Sequence, residues 1–138
     1  MSTGQKIKKY RKLRKLTQNE LGRAVGLTES AIRNYEHDYR TPNEDQVRAI
    51  ARELNVPVAA LEDYEISSAR EALEALFRLE DAFGLKPDGS GCLVIDPKAK
   101  GAQKIAIALK AWRDVLDEVE SGDMTEEEYE LWKVSLHA

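Results

Sequence analysis

Residues 17–42 read TQNELGRAVGLTESAIRNYEHDYRTP, and the order of polar caps, apolar positions and glycine in this stretch decides the fold of the N-terminal half. Thr17 and Glu20 have the spacing of a capping box, in which each side chain satisfies the other residue's orphan backbone donor at a helix start. Leu21 and Val25 follow four residues apart, which places them on one face of that helix. Gly26 then stands where a helix closes through a left-handed residue. Two residues later Thr28 is suited to cap a second helix, with Ala31, Ile32 and Tyr35 as its inward positions. The spacing therefore predicts two short helices joined by a tight turn at a glycine.

Outward from this pair the same reading continues. Upstream, a helix is expected from about Gly4 to Lys15, turning Ile7, Tyr10 and Leu13 inward. Downstream, His37 to Pro42 reads as a loop, because Pro42 disfavours helix at Thr41. Asn43 caps a fourth helix, and Glu44 and Asp45 in its first turn complement the helix dipole. Val47, Ile50, Ala51 and Leu54 fall at i, i+3, i+4 and i+7, a buried stripe that Asn55 ends. Pro57 suits the first turn of a short fifth helix through Leu61. The first 63 residues thus read as a helix-turn-helix embedded in a five-helix bundle.

The rest of the chain differs in character. Residues 66–83 form an amphipathic pattern with Leu73, Leu76, Phe77, Leu79 and Phe83 on its apolar side. Gly84 to Gly91 is turn-rich, and Cys92–Ile95 reads as a short strand, for which Leu85–Lys86 is the candidate hairpin partner despite Pro87. A long helix over about Ala102–Glu120 carries Ile105, Ala108, Trp112, Val115 and Val119 at alternating spacings of three and four. Gly122 ends it. Thr125 to Glu128 is a further capping box, opening a last helix with Tyr129, Trp132 and Leu136 inward; His137 falls in the tail beyond. The junction near Asp63–Ser68 divides the chain into residues 1–63 and an acidic, mostly helical module, 64–138. The fold class is mainly α with one short hairpin.

The net charge of −4 conceals an asymmetry. Residues 1–63 hold twelve Lys and Arg against nine Asp and Glu, whereas residues 64–138 hold nine against sixteen. Between Met1 and Lys15 stand seven basic residues and no acidic one, which provides one face for phosphates and an acidic body that repels them. No stretch approaches the roughly 18–20 apolar residues of a membrane span, and Met1–Lys6 has no apolar signal-peptide core. One cysteine, Cys92, fits a reducing cytoplasm and reads as a buried structural thiol, the alternative being a redox sensor without a basic neighbour to activate it.

Catalytic chemistry is not indicated. Two histidines, His37 and His137, with no paired-cysteine or paired-histidine spacing leave no metal site to propose. Gly84–Gly91 lacks the lysine and spacing of a phosphate-binding loop. The carboxylates of Asp114–Glu120 and Glu126–Glu130 lie beside apolar stripes and read as solvated faces. Neither enzyme activity nor a cofactor is expected.

Residues 7–61 resemble the Cro/C1-type (Xre family) helix-turn-helix domain of phage repressors and bacterial regulators. The residues that carry the resemblance are Ile7, Tyr10 and Arg11; Leu16-Thr17-Gln18, Glu20 and Leu21; Val25-Gly26-Leu27-Thr28, Ser30 and Ile32; Tyr35-Glu36; Arg40 and Pro42. Val47, Ile50, Ala51, Leu54 and Val56 continue it. The resemblance implies a lambda-repressor-like domain whose third helix, about 28–37, enters the major groove of operator DNA. By position, it places Gln18 on a phosphate and against the recognition helix. Thr28, Glu29, Ser30, Arg33 and Asn34 come on or beside the bases, and Tyr39 and Arg40 lie along the backbone. Asn suits adenine, Glu cytosine and Arg guanine, although Arg33 has equal reach to a phosphate, and Glu29 is equally placed to stabilise the helix dipole. Arg11 and Glu36 match a pair that forms a structural salt bridge, with the arginine also within reach of a phosphate. Where the family usually carries glycine, this chain has Asp38, which tolerates the left-handed conformation better than most residues.

The implied function is a sequence-specific transcriptional regulator, of repressor type, acting as a cytoplasmic, nucleoid-associated homodimer on double-stranded operator DNA. The Trp112 stripe is either the interior of the C-terminal module or part of a dimer interface. The alternatives are an antitoxin-type DNA-binding protein whose C-terminal module binds a protein partner, and a regulator with a ligand pocket in that module.

Overall fold

The computed structural model describes residues 1–136, so His137 lies outside the described residues. Seven helices and one small hairpin follow in the order α1 (Thr3–Leu13), α2 (Gln18–Ala24), α3 (Glu29–Glu36), α4 (Glu44–Leu54), α5 (Ala69–Phe83), β1 (Leu85–Pro87), β2 (Leu93–Ile95), α6 (Ala102–Ser121) and α7 (Glu126–Ser135). Packing divides them into two units, residues 1–65 with 127–136 and residues 66–126. The last helix is thus grouped with the N-terminal bundle, whereas the sequence reading assigns it to the C-terminal module.

The first four helices begin and end by the same devices. Ser2, Thr17, Thr28 and Asn43 are N-caps whose side chains accept the backbone N–H three residues on, and at Ser2, Thr17 and Asn43 the return bond from Gln5, Glu20 and Gln46 completes a capping box. Each helix closes through a left-handed residue: Lys15, Gly26, Asp38 and Asn55, with φ of 58°, 72°, 58° and 54°. In every case the next N–H reaches back five residues, Leu16 to Arg11, Leu27 to Gly22, Tyr39 to Asn34 and Val56 to Ala51, which is the Schellman closure. This shortens α1 relative to the expected Gly4–Lys15, because Lys15 is the turning residue.

The interior of the bundle is Ile7, Tyr10, Leu21, Ile32, Tyr35, Ile50, Ala51, Leu54, Val56 and Leu61, joined by Val134 of α7. Six of these, Ile7, Leu21, Ile32, Ile50, Leu54 and Leu61, are fully buried, and burying a side chain of this kind contributes about 1.5–3 kcal/mol. The expected fifth helix is a single 3-10 turn, Val58–Ala60. Pro57 is extended, at ψ 149°, and so precedes the turn as its cap instead of lying in it. Two glycines let backbones meet. A Cβ on Gly4 would stand 1.8 Å from the Tyr35 carbonyl oxygen, and one on Gly22 2.9 Å from that of Leu27, so α1 meets α3, and α2 the turn leading into α3, at positions where a side chain is missing.

In the second unit, Ser68 caps α5 through a capping box with Glu71, so the helix begins at Ala69, three residues later than the expected residue 66. The hairpin pairs Leu85 with Ile95, Lys86 with Val94 and Pro87 with Leu93, so the proline falls at the end of an edge strand where its missing donor costs little. Cys92 precedes the strand and is exposed, against the expected buried thiol. Its N–H, with the N–H and hydroxyl of Ser90, goes to the Asp88 carboxylate, so the residue belongs to the turn. Leu73 and Phe77, expected inward, are 44% and 48% exposed, and Trp112 is 44% exposed. Among the described residues of this unit only Ala102 and Val115 are buried. Periodicity locates the apolar faces of α5 and α6, but it does not say what covers them.

Candidate nucleic-acid interface

The third helix projects two unlike faces. Ile32 and Tyr35 enter the core, and Tyr35 donates its phenol to Gln46 Oε1 at 2.9 Å, a bond to the cap of α4. On the other face Thr28, Glu29, Ser30 and Arg33 are exposed and Asn34 is half-buried. Thr28 is committed in part to capping, its hydroxyl accepting the Ala31 N–H at 3.1 Å. Glu29 and Arg33 form an i,i+4 ion pair at 3.2 Å with both side chains about half exposed. Such a pair stabilises the helix by only about 0.3–0.5 kcal/mol, so it exchanges easily for an outside partner.

Behind this face lies a charged network. The Arg11 guanidinium holds Glu36 by two prongs, Nε to Oε1 and Nη2 to Oε2, the second at 3.0 Å, while its Nη1 donates to the Leu16 carbonyl at 2.7 Å. The Gln18 amide donates to Glu36 Oε2 at 2.8 Å. The Glu36 side chain is fully buried. Burial alone would raise its pKa. The bonds from Arg11 and Gln18, with the charges of Arg11 and Lys8, outweigh that and hold the carboxyl below its ordinary value. One carboxylate therefore ties the start of α2 and the last turn of α1 to the end of α3.

The loop after α3 is tied from the other side. Ser2 Oγ donates to the Asp38 carboxylate, 2.8 and 2.9 Å from its two oxygens, so this side chain anchors the start of α1 while its own backbone is left-handed. Sequence reasoning identified Asp38 as a departure from glycine and missed its partner. Ser2 lies thirty-six residues away, and no local pattern links the two. Tyr39 is 77% exposed and stacks on His37 at 5.6 Å, and Arg40 is exposed beside it. On the flank of α1, Lys8, Lys9 and Lys12 share a shallow cleft with His37 at the end of α3. Among the described residues no group of three or more His, Cys, Asp or Glu is placed to hold a metal ion. No described helix is long and apolar enough to cross a membrane.

Comparison with known proteins bears on this arrangement. A family model described as Helix-turn-helix matches residues 7–61. The immunity repressor protein of Bacillus phage phi105 is 35% identical over 74 residues, which are 54% of this chain and 51% of that protein. The chain thus spans about half the length of the curated relative it matches. Among solved structures, the P22 c2 repressor protein in complex with synthetic operator 9T aligns at 28% identity and a TM-score of 0.45, covering 47% of this chain and 98% of that one. A chain of the SinR protein/SinI protein complex aligns at 24% identity and a TM-score of 0.45, covering 81% and 97% respectively.

Proposed function

We propose, from the premise that residues 7–61 are a helix-turn-helix domain of the Cro/C1 (Xre) type, that this chain is a homodimeric repressor that reads the major groove with α3. A DNA-binding regulator is what the family and fold imply, and the matched relative is named an immunity repressor. The observation that carries the finer reading is the exposed polar row of α3, fixed by the Arg11–Glu36–Gln18 network behind it. A groove reader needs this combination: side chains that are free to exchange partners, on a helix that is not free to move.

In this reading Ser30, Arg33 and Asn34 meet base edges, Thr28 and Glu29 stand at the groove wall, and Tyr39 and Arg40 lie on the phosphate backbone. Gln18 spends its amide on Glu36, so its contribution to DNA is mainly to hold α3 in place, with its remaining polar atoms turned to a phosphate. Arg11 and Glu36 are scaffold. One recognition helix covers only a few base pairs, and a two-fold dimer covers two half-sites about one helical turn apart. The exposed Leu73 and Phe77 support a dimer surface in the 66–126 unit. That same surface supports the second reading, a protein partner for this unit as in antitoxins. The site of action is the cytoplasm, on the nucleoid.

The test is binding of the purified full chain to the DNA it selects, with Arg33→Ala and Asn34→Ala beside it. Each is expected to weaken specific binding by about 1–3 kcal/mol and to relax the preference at one position. Unchanged affinity and sequence preference in both variants would remove α3 from the groove.

A further inference from the structure

The last helix docks on the DNA-binding bundle and takes one of its lysines. Val134 is 6% exposed within the bundle's core, and Glu130 Oε2 accepts from Lys9 Nζ at 2.6 Å. Glu130 is itself steadied by Lys133 at 2.8 Å. Both members of the Lys9–Glu130 pair are more than two-thirds shielded, at 30% and 27% side-chain exposure, so this contact is better defined than the surface pairs of α4 or α6. Lys9 also lines the cleft that runs from Lys8 and Lys12 to His37 at the end of the recognition helix. The same ammonium therefore faces two anions: a carboxylate that holds it now, and any phosphodiester laid along the flank of α3.

Charge gives the contact weight. Residues 1–65 carry twelve Lys and Arg against ten Asp and Glu, and residues 127–136 carry one against three. Residues 1–65 are thus +2, residues 127–136 −2, and the assembled unit neutral. A surface that must gather a polyanion has its excess positive charge cancelled by its own C-terminal segment.

We infer that Lys9 is a switched phosphate-binding residue, held by Glu130 of α7 in the free protein and released to the DNA backbone when DNA binds. The inference rests on the reading that the flank of α3 faces DNA. Because linkage is reciprocal, a helix that withholds Lys9 from DNA is in turn loosened by DNA. The chain leaves the bundle at residue 65 and re-enters it at 127, so the 66–126 unit is tied to it at both ends.

The experiment is a double-mutant cycle on the full chain with a 30-base-pair mixed-sequence duplex, reading affinity against salt for wild type, Glu130→Gln, Lys9→Gln and the pair together. Glu130→Gln is expected to bind about threefold tighter at 0.1 M salt with a nearly unchanged log–log salt slope, because Lys9 meets a phosphate in both complexes, whereas Lys9→Gln is expected to lower the slope by about 0.9, the signature of one lost phosphate contact. Lys9→Gln is expected to abolish that gain in the double variant. An unchanged affinity in Glu130→Gln, a salt slope steeper by about 0.9 in that variant, or a gain that survives in the double variant, overturns the inference. Hydrogen exchange on the wild-type protein provides an arm without substitutions: amides of α7 are expected to lose protection when the duplex is added, and constant protection overturns the inference. If Arg33→Ala loses DNA while Glu130→Gln changes nothing, the switch fails and the groove reading stands. If neither changes binding, the groove reading fails with it.

Discussion

Replacing Arg11 with alanine tests what holds the recognition helix in place. The substitution removes three donors at once, two from the Glu36 carboxylate and one from the Leu16 carbonyl. Glu36 is then left as a fully buried carboxylate with Gln18 as its remaining hydrogen-bond donor in the network. Breaking one side of a buried ion pair costs about 3–5 kcal/mol, and the retained Gln18 bond argues for the lower end, about 3 kcal/mol at neutral pH. The effect should depend on pH with a defined sign. In the native protein the Glu36 pKa is depressed, so its contribution is present above the unfolded pKa and lost as pH falls through the folded value. Without Arg11, desolvation dominates and the pKa moves up, so lowering the pH protonates the buried group and relieves the variant. Urea unfolding of both proteins at pH 7 and pH 5 is therefore expected to show a smaller gap at pH 5. A gap below about 1 kcal/mol at pH 7, or one that does not narrow, would refute a buried, partner-dependent carboxylate. The companion variant Arg11→Met/Glu36→Leu, which removes both charges, is expected to cost less than Arg11→Ala alone.

Other outcomes follow from single contacts. Gly4→Ala places a methyl group 1.8 Å from the Tyr35 carbonyl oxygen, so α1 and α3 must separate; a loss of about 3 kcal/mol or more is expected in thermal or urea unfolding. Asp38→Ala keeps the left-handed backbone without the Ser2 anchor, and is expected to cost about 1–2 kcal/mol. Asp38→Gly relieves the backbone and loses only the anchor, so it should fall between Asp38→Ala and wild type in the same measurement. Leu73→Asp with Phe77→Asp charges the exposed face of α5. Sedimentation is expected to show a shift from dimer to monomer with helix content by circular dichroism unchanged.

The parts of this fold that were legible in the sequence are those set by local chemistry. Thr17, Thr28 and Asn43 declared helix starts because a side-chain acceptor three residues ahead of a donor is a local event. Gly26 declared a stop for the same reason. Lys15 reads as part of α1 because a left-handed lysine has no compositional mark; only the bond from Leu16 back to Arg11 reveals it. Pro57 suggested a helix, but three residues between it and Leu61 leave room only for a 3-10 turn. The sequence offers Leu85–Lys86 as a partner for the Cys92–Ile95 strand but not their register, and the place of Cys92 in the turn depends on the Asp88 carboxylate that accepts its N–H. On the candidate interface, the inward positions of α3 follow from helical period, and the outward row is what the family resemblance implies. The partners that cross the chain follow from neither: Ser2 with Asp38, and Lys9 with Glu130, are 36 and 121 residues apart. The docking of Val134 belongs with these, since an amphipathic helix announces that it has an apolar side and not which surface it will find.

The central claim is that two copies of α3 read a two-fold operator. Genome-wide binding of the tagged full chain, with an Asn34→Ala version in parallel, tests it most directly. The account predicts a small set of sites sharing an inverted repeat whose half-sites lie about 10 base pairs apart, lost or degenerate at one position in the variant. Enrichment without any repeated half-site, or the same motif at the same strength in Asn34→Ala, would contradict it.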